Sequence, residues 1–181
     1  MIKFILLGFL NYTPMTGYDL KQSIDGSTSH FWHAHHSQIY TTLRQMEQDQ
    51  LVTSVYIREE SQPDRRVYTI TDAGKQALTD WLAQSMTEAT QIKEELLVRV
   101  FFSARRDPRD VLAELRLQCQ LHQEKLAAYR QITQKVPEMQ QTSPELQRDQ
   151  GFWKATLDLG TRYEEMYLGW LNDTIQWIEA L

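Results

Sequence analysis

Apolar residues recur at helical spacing in short stretches along the first fifty positions. Residues 2–11 carry a broad apolar stripe, which predicts a helix that is buried on most sides and ends before Pro14. A second short helix follows, and we expect Thr16 to cap its start and Gly26 to end it. Leu20 and Ile24 are expected to form the inward face of the second helix.

A third helix is predicted within the stretch from Phe31 to Leu51, opened by His36, Ser37 and Gln38. Ile39, Leu43 and Met46 recur at spacings of four and three, and Ser37 is the expected N-cap. Its other face carries hydrogen-bonding side chains of middle length: Gln38, Tyr40, Thr41, Arg44 and Gln45. Such side chains contact phosphates and base edges in a major groove. An ordinary amphipathic surface helix is the alternative, and the neighbouring elements decide between the two.

Residues 51–56 and 66–70 are rich in β-branched and aromatic side chains, with a polar segment between them. They predict a hairpin with a long tip that carries Arg65 and Arg66. Thr71 then opens a further helix, whose inward face is expected to be Ala73, Ala77, Leu78, Trp81 and Leu82. Three helices, a hairpin and a helix make a winged helix-turn-helix, which favours DNA contact by Arg65 and Arg66 over a merely solvated turn.

The second half of the chain is predicted to be wholly helical. Residues 83–91 are polar and mark a boundary, so we expect a winged domain at 1–86 and a helical domain at 92–181. Asp107 and Pro108 start a long helix that ends near Pro137, and another runs from about residue 143 to 180. The fold class is therefore mainly α, with long antiparallel helices in the second domain.

Both long helices carry apolar seams with a seven-residue repeat. The first seam is Leu115, Cys119, His122, Leu126, Tyr129, Thr133 and Val136, and the second is Leu159, Tyr163, Tyr167, Trp170, Thr174 and Trp177. A helix of about 28 residues is about 42 Å long, too long to be covered by one small domain. We therefore expect a homodimer, which would present two DNA half-sites.

The net charge of −5 argues against broad electrostatic attraction to DNA. The first 82 residues hold seven Lys and Arg against nine Asp and Glu, so DNA binding must depend on where the cations lie. No phosphate-binding glycine loop or catalytic triad pattern is present, and an enzyme is not expected. The pairs Glu94–Glu95 and Glu164–Glu165 are interpreted as solvated faces, because adjacent residues on a helix point apart.

Cofactor, metal and membrane sites are not predicted. His30, His33, His35 and His36 lie close in sequence, but their spacing is poor for a closed metal site without Cys or carboxylate ligands nearby. The chain has one cysteine and no apolar run of about 18 residues or more. A reducing compartment, the cytoplasm, is the expected location.

Four segments together resemble the PadR (phenolic acid decarboxylase regulator) family of bacterial transcription factors: ILLGFL, TGYDL, FWHAHHSQIYTTLRQMEQDQLV and RRVYTITDAGKQAL. The helical second half, with YLGWL near its end, is similar to the longer members of that family. The resemblance implies a homodimer that binds double-stranded DNA at an inverted-repeat operator. In the repressors of the family it also implies release by a small aromatic acid.

By position, the resemblance assigns DNA contact to Ser37, Gln38, Tyr40 and Arg44 of the third helix, and to Arg65, Arg66 and Tyr68 of the wing. His36, which lies next to the cap, is expected to contact a phosphate or to pack locally. One departure concerns Thr41, which stands where the family often has proline. The helix is therefore expected to start less sharply, and the Thr41 hydroxyl becomes a further possible DNA contact.

Effector contacts are predicted at His122, Tyr129, Trp153 and Tyr163. His122, Cys119 and Tyr129 share one apolar seam, where they are either core residues with satisfied hydrogen bonds or a polar lining for a ligand. Trp153 and Tyr163 are either core aromatics or a stacking surface for an aromatic ring. The preferred function is a repressor that such a ligand releases. The alternatives are an activator with a partner factor and a winged-helix protein-interaction module without DNA binding.

Overall fold

The short apolar stripes of the first half fold as helices around a small sheet in the computed structural model. The structure describes residues 1–28, 31–59, 62–89, 91, 93–135 and 144–181, so the predictions made for His30 and Val136 lie outside it. The chain divides into two compact units at residues 1–90 and 91–181. The elements of the first unit are α1 (Ile2–Leu10), β1 (Met15–Thr16), α2 (Gly17–Ser23), α3 (His36–Gln48), β2 (Val52–Glu59), β3 (Gln62–Ile70) and α4 (Asp72–Ala83).

The start of α2 is fixed as the sequence predicts, but its end is not. The Thr16 hydroxyl accepts a hydrogen bond from the Asp19 N–H at 3.1 Å, and the Thr16 N–H donates to the Asp19 carboxylate at 3.0 Å. The predicted stop at Gly26 is wrong, because the helix continues from Ser23 into a turn of π-helix at Ile24–Thr28. Ile24 is fully buried, and its packing explains why the chain stays helical there.

The sheet has three antiparallel strands in the order β1-β3-β2. Ser54 of β2 lies opposite Tyr68 of β3, and Tyr56 lies opposite Arg66. The prediction of a long hairpin tip is wrong, since the strands continue to Glu59 and from Gln62, with an irregularity in register between Ile57 and Glu59. Arg65 and Arg66 therefore lie within β3 and not in the tip. The two-residue strand β1 has too little pattern to be predicted.

The joint between α3, β2 and α4 depends on close backbone contacts. Gln50 has φ of 58°, a left-handed conformation that ends α3 and turns the chain into β2. The Leu51 carbonyl accepts a bond from the Thr71 N–H at 3.0 Å, and a Cβ at Gly74 would meet that carbonyl oxygen at 2.2 Å. Only glycine fits at residue 74, so α4 is held against the base of the wing.

The core of the first unit forms where α1, α2 and α3 meet the sheet. Its fully buried side chains include Leu6, Leu7, Leu20, Ile24, Ile39, Leu43 and Met46. Phe4 of α1 stacks on Trp81 of α4 with ring centroids 4.5 Å apart. The inward face predicted for α4 is wrong at Ala73 and Leu82, which are exposed, whereas Leu78 is buried.

The second unit is helical, with α5 (Glu95–Phe101), α6 (Pro108–Lys135) and α7 (Pro144–Glu179). Arg116 pairs with Glu179 at 2.6 Å and Arg130 with Glu165 at 2.9 Å, so α6 and α7 run antiparallel. The fold class is thus confirmed. The predicted α7 seam is displaced, however: the buried side chains are Leu157, Glu164, Tyr167 and Leu171, while Leu159 and Trp177 are mostly exposed.

No helix within the described ranges is both long enough and apolar enough to cross a lipid bilayer.

Candidate nucleic-acid interface

Helix α3 separates a buried face from an exposed polar face. Ile39, Leu43 and Met46 are fully buried, so this stripe anchors the helix to the core. The exposed face includes every residue of α3 predicted to contact DNA: His36, Ser37, Gln38, Tyr40, Thr41 and Arg44. Arg44 is the only Lys or Arg in α3. Anchored in this way, the helix holds its polar side chains on a rigid support.

Gln48 is an exposed residue of α3 that was not predicted to contact DNA. Ser37, Thr41, Arg44 and Gln48 follow one another at spacings of four, three and four, which places them in one row along the helix. That spacing is readable from the sequence and could have identified Gln48. Readout helices contact bases mainly through their first turns, so Gln48 lies toward the far end of the row.

The start of α3 differs from the sequence prediction. His35, not Ser37, is the N-cap residue, and its N–H donates to the Gln38 side-chain Oε1 at 3.1 Å. Gln38 therefore closes the first turn, as the Glu or Gln of a capping box does. The Ser37 hydroxyl is not used as the cap and lies exposed on the outer row. An open groove beside this turn is lined by Met1, Ile2, Trp32, His33, Ser37, Gln38, Thr41 and Thr42.

Tyr40 connects the exposed face of α3 to the start of α2. A Cβ placed on Gly17 would lie 2.6 Å from Cε1 and 2.8 Å from Cζ of the Tyr40 ring. His36 also stacks on this ring, with centroids 6.3 Å apart and an interplanar angle of 15°. The glycine thus allows the tyrosine ring to lie close to the α2 backbone, which orients its hydroxyl.

The two arginines of the wing have different environments. Arg65 is exposed in β3 opposite Ile57. Arg66 is half-buried: its Nε donates to the Ser54 hydroxyl at 2.8 Å, and its guanidinium pairs with the carboxylate of Glu47 in α3. Arg65 is therefore the exposed cation of the two, while Arg66 joins the wing to α3.

Tyr68 is removed from the predicted contact set. Its side chain is 2% exposed and belongs to the hydrophobic core of the first unit. Burial raises the pKa of its phenol, although the nearby Arg66 cation acts in the opposite direction. The alternation of β3 explains the error, because residues 65 and 68 point to opposite faces of the sheet.

Glu47 is a carboxylate on a helix proposed to approach DNA, and its charge is compensated within the protein. The hydrogen bond from the Ser54 hydroxyl lowers the pKa of Glu47 most, burial opposes this, and the bond and charge of Arg66 lower it further. The carboxylate therefore stays ionised as the acceptor for both groups at neutral pH.

A buried polar cluster lies between α6 and α7 of the second unit. The Nδ1 atom of His122 contacts the carboxylate of Glu164, and the two residues are 8% and 3% exposed. The interpretation of Glu164 as solvated is thus wrong, whereas its neighbour Glu165 lies at the surface and pairs with Arg130. A buried carboxylate needs such a partner, and the imidazole supplies it.

Aromatic rings surround this pair. His122 stacks on Tyr167 with centroids 4.2 Å apart, and Tyr163 lies 5.7 Å from Tyr167. Burial, followed by the charge of Glu94, raises the pKa of Tyr167 to about 12 and also raises that of Tyr163. Burial and the charge of Glu164 raise the pKa of Tyr129. All three phenols are therefore neutral hydrogen-bonding groups near pH 7.

Three of the four predicted effector residues, His122, Tyr129 and Tyr163, lie around Glu164. Trp153 precedes Tyr163 by ten residues on α7, about 15 Å along the helix. Tyr167 and Glu164 also belong to this cluster, but they were not predicted as effector contacts. No group of three or more potential His, Cys, Asp or Glu metal ligands comes together within the described part of the chain.

Two family models match different parts of the chain. The model described as "Transcriptional regulator PadR-like family" matches residues 6–80, and "Virulence activator alpha C-term" matches residues 92–179. The "Negative transcriptional regulator PadR" of Bacillus subtilis (strain 168) is 27% identical over 186 residues, which cover 99% of this chain and 98% of that protein.

Solved structures agree with these matches over nearly the whole chain. A crystal structure of Bacillus subtilis PadR in complex with operator DNA is 25% identical, with a TM-score of 0.83 and coverage of 98% of both chains. The same protein in complex with p-coumaric acid gives a TM-score of 0.77 at the same identity and coverage. These matches confirm the expected regulator, a class not known as enzymes. The chain carries a PadR-like transcriptional regulator domain at residues 6–80 and is similar to PadR of Bacillus subtilis over almost its whole length.

Proposed function

We propose that this regulator is a homodimeric repressor that binds an inverted-repeat operator through α3 and the wing. The observation that supports it most is the exposed row of Ser37, Thr41 and Arg44, opposite the buried stripe of α3. These groups donate and accept hydrogen bonds to base edges and phosphates. Its relative in Bacillus subtilis, similar over nearly the whole chain, is named a negative regulator and has been crystallised with operator DNA.

The DNA surface that we propose consists of His36, Ser37, Gln38, Tyr40, Thr41 and Arg44 on α3, with Arg65 on the wing. Arg66 contributes through the geometry of the wing. The acidic net charge of −5 makes this local placement decisive, because bulk attraction to DNA is weak. The regulator would act in the cytoplasm, where its operator lies.

Dimerisation is proposed for the second unit, residues 92–181, and DNA binding for residues 1–86. Large apolar side chains remain exposed on α6 and α7 of a single chain, among them Leu117, Leu121, Phe152, Leu159 and Met166. Leu117 and Leu121 are four residues apart, and the three on α7 are seven apart, so each set forms a row on its helix. Such rows are typical of helices that pack against a second copy.

A small aromatic acid is the proposed releasing ligand, by analogy with the Bacillus subtilis relative that has been crystallised with p-coumaric acid. The cluster of His122, Tyr129, Tyr163, Tyr167 and Glu164 offers both stacking rings and hydrogen-bonding groups to such a molecule. Trp153 provides a separate aromatic surface that is 48% exposed. The ligand would shift the protein toward a conformation that binds DNA less well.

Fluorescence anisotropy tests the proposal. The protein is titrated into a labelled duplex from the region upstream of its own gene, and into a duplex of shuffled sequence, at low and moderate salt. The proposal predicts preference for the upstream duplex and release by p-coumaric acid. Equal binding of both duplexes at each salt concentration contradicts operator recognition, and preference that p-coumaric acid does not change contradicts the proposed effector class.

The competing function is a protein-interaction module without DNA contact, which the acidic charge favours. It predicts no binding of either duplex at low salt. An activator differs from a repressor only in the response of transcription, so a reporter fused to the upstream region separates these two. Repression predicts higher reporter expression after deletion of the gene, and activation predicts lower expression.

A further inference from the structure

Glu47 in the last turn of α3 is the meeting point of two groups from the wing. One carboxylate oxygen, Oε1, accepts the Ser54 hydroxyl of β2 at 2.5 Å. The other, Oε2, pairs with the guanidinium of Arg66 in β3. Arg66 closes the triangle by donating from Nε to the Ser54 hydroxyl oxygen at 2.8 Å. A single side chain of the helix is therefore bonded to both long strands.

The rings beside Arg66 restrict its position further. The guanidinium carbon lies 5.3 Å from the ring centroid of Tyr56 and 5.2 Å from that of Tyr68. Tyr68 is buried in the core, so one of these rings cannot move without disturbing the packing. A planar guanidinium with two hydrogen-bonded edges and two aromatic neighbours has one well-defined orientation. The Glu47–Arg66 contact is therefore a fixed link and not a mobile surface ion pair.

The backbone provides a second link between α3 and the wing. It passes through Asp49 to Leu51 and includes Gln50 in its left-handed conformation. The buried side chains of Val52 and Tyr68 hold the base of the strands in the core. The side-chain link of Glu47 lies away from the backbone connection, and two separated links fix an angle that one does not. The angle matters because a helix and a wing must reach the duplex at the same time.

We infer that Glu47 is a positioning residue for operator recognition, which sets the wing against the readout helix through Ser54 and Arg66. This inference rests on the proposed function. Glu47 does not need to touch DNA, and as an anion it would be repelled by phosphate. Removing its charge therefore has opposite effects on two kinds of binding: it loosens the geometry that an operator requires, and it frees the Arg66 cation for sequence-independent attraction.

The test compares Glu47→Gln with the parent protein and with Asp72→Asn. Glutamine keeps the shape of Glu47, but its amide N–H₂ faces one of the two donors. Asp72 lies in the same unit, and its side chain is fully exposed and pairs with the nearby Lys75, so Asp72→Asn makes the same change of charge away from the wing. Arg66→Lys keeps the cation and loses the Nε bond to Ser54, so it should reproduce the loss of operator preference.

The operator is first recovered by selecting random duplexes on the parent protein. Anisotropy titrations then give affinities for this duplex and for a shuffled duplex, below the melting temperature of each variant. We expect Glu47→Gln to lose about tenfold in affinity for the operator while its affinity for the shuffled duplex is unchanged or higher. Asp72→Asn should raise both affinities by a similar small factor. Simple loss of folded protein would lower both by the same factor.

Three results overturn the inference, and the first can be distinguished from the other two. If the parent recovers no preferred duplex, both the proposed function and the inference fail. If the parent discriminates but the operator-to-shuffled ratio of Glu47→Gln matches that of Asp72→Asn within about twofold, only the positioning role fails. A loss of affinity by the same factor for both duplexes also overturns the positioning role, because it assigns Glu47 to stability alone.

Discussion

Tyr40 lies so close to Gly17 that a single added carbon at residue 17 would come within 2.6 Å of its ring. We predict that Gly17→Ala pushes this ring away from α2 and lowers operator affinity by about tenfold. The ring can rotate, so the free energy of unfolding should change by no more than about 1 kcal/mol. Anisotropy and chemical denaturation measure the two quantities.

Gly8→Ala is the matched control for this change, because a Cβ at residue 8 meets nothing within 4 Å. It should leave DNA binding unchanged and stabilise α1 by up to about 1 kcal/mol. The double variant Gly17→Ala, Tyr40→Ala should be no weaker on the operator than Tyr40→Ala alone. If the double variant is weaker, the contact between residues 17 and 40 is not the cause.

Replacing Arg65 and replacing Arg66 should have different effects on the protein. We predict that Arg65→Ala weakens operator and shuffled duplexes about equally and flattens the salt dependence by about one phosphate contact, a change of roughly 0.9 in slope. Arg66→Ala should instead lower both stability and the preference for the operator, because it removes the guanidinium that pairs with Glu47 and donates to the Ser54 hydroxyl. Salt titrations and denaturation of both variants decide this, and identical salt slopes for Arg65→Ala and the parent would refute the phosphate contact.

Leu159 tests the proposed dimer surface. This side chain is 69% exposed on α7 of a single chain, in the row with Phe152 and Met166. We predict that Leu159→Glu converts the dimer to monomers, since a carboxylate cannot be buried unpaired at an apolar interface. Light scattering after size-exclusion chromatography measures the mass. Leu181→Glu makes the same change at a position that is 82% exposed, beyond the end of α7, and should remain dimeric.

Glu164 is predicted to be needed for the stability of the second unit. Glu164→Ala leaves the His122 ring buried without its partner, and removal of one member of such a pair costs about 3 kcal/mol. Glu165→Ala removes an adjacent carboxylate that pairs at the surface with Arg130, and it should cost less than about 1 kcal/mol. Urea denaturation compares the two. Equal losses of unfolding free energy in the two variants would show that the buried pair of His122 and Glu164 stabilises the fold no more than a surface pair does.

The helices could be predicted from the sequence where the apolar spacing and the capping residues agreed. Thr16 with Asp19, the stripe of α3, and Asp107 before Pro108 all gave elements close to those observed. These signals are local, so each can be read without knowing what the element packs against. The order of the elements then indicated a winged helix-turn-helix, and the quoted segments indicated the family.

The predictions were wrong where tertiary packing decides which side chains are buried and which groups they contact. Tyr68 and Arg65 are three residues apart in one strand, and only the register of the sheet shows that one enters the core. Glu164 looked solvated because its partner His122 lies 42 residues earlier in the chain. Arg66 was assigned to DNA for the same reason, since its link to Glu47 spans 19 residues. Long-range polar pairs leave no periodic signal in a sequence.

The central claim is that two copies of α3 contact one operator from adjacent turns of the duplex. Hydroxyl-radical footprinting of the parent protein on its selected operator tests this directly. The account predicts two protected patches related by two-fold symmetry, with centres about one duplex turn or a multiple of it apart. A single protected patch, or uniform weak protection without sequence preference, would contradict it.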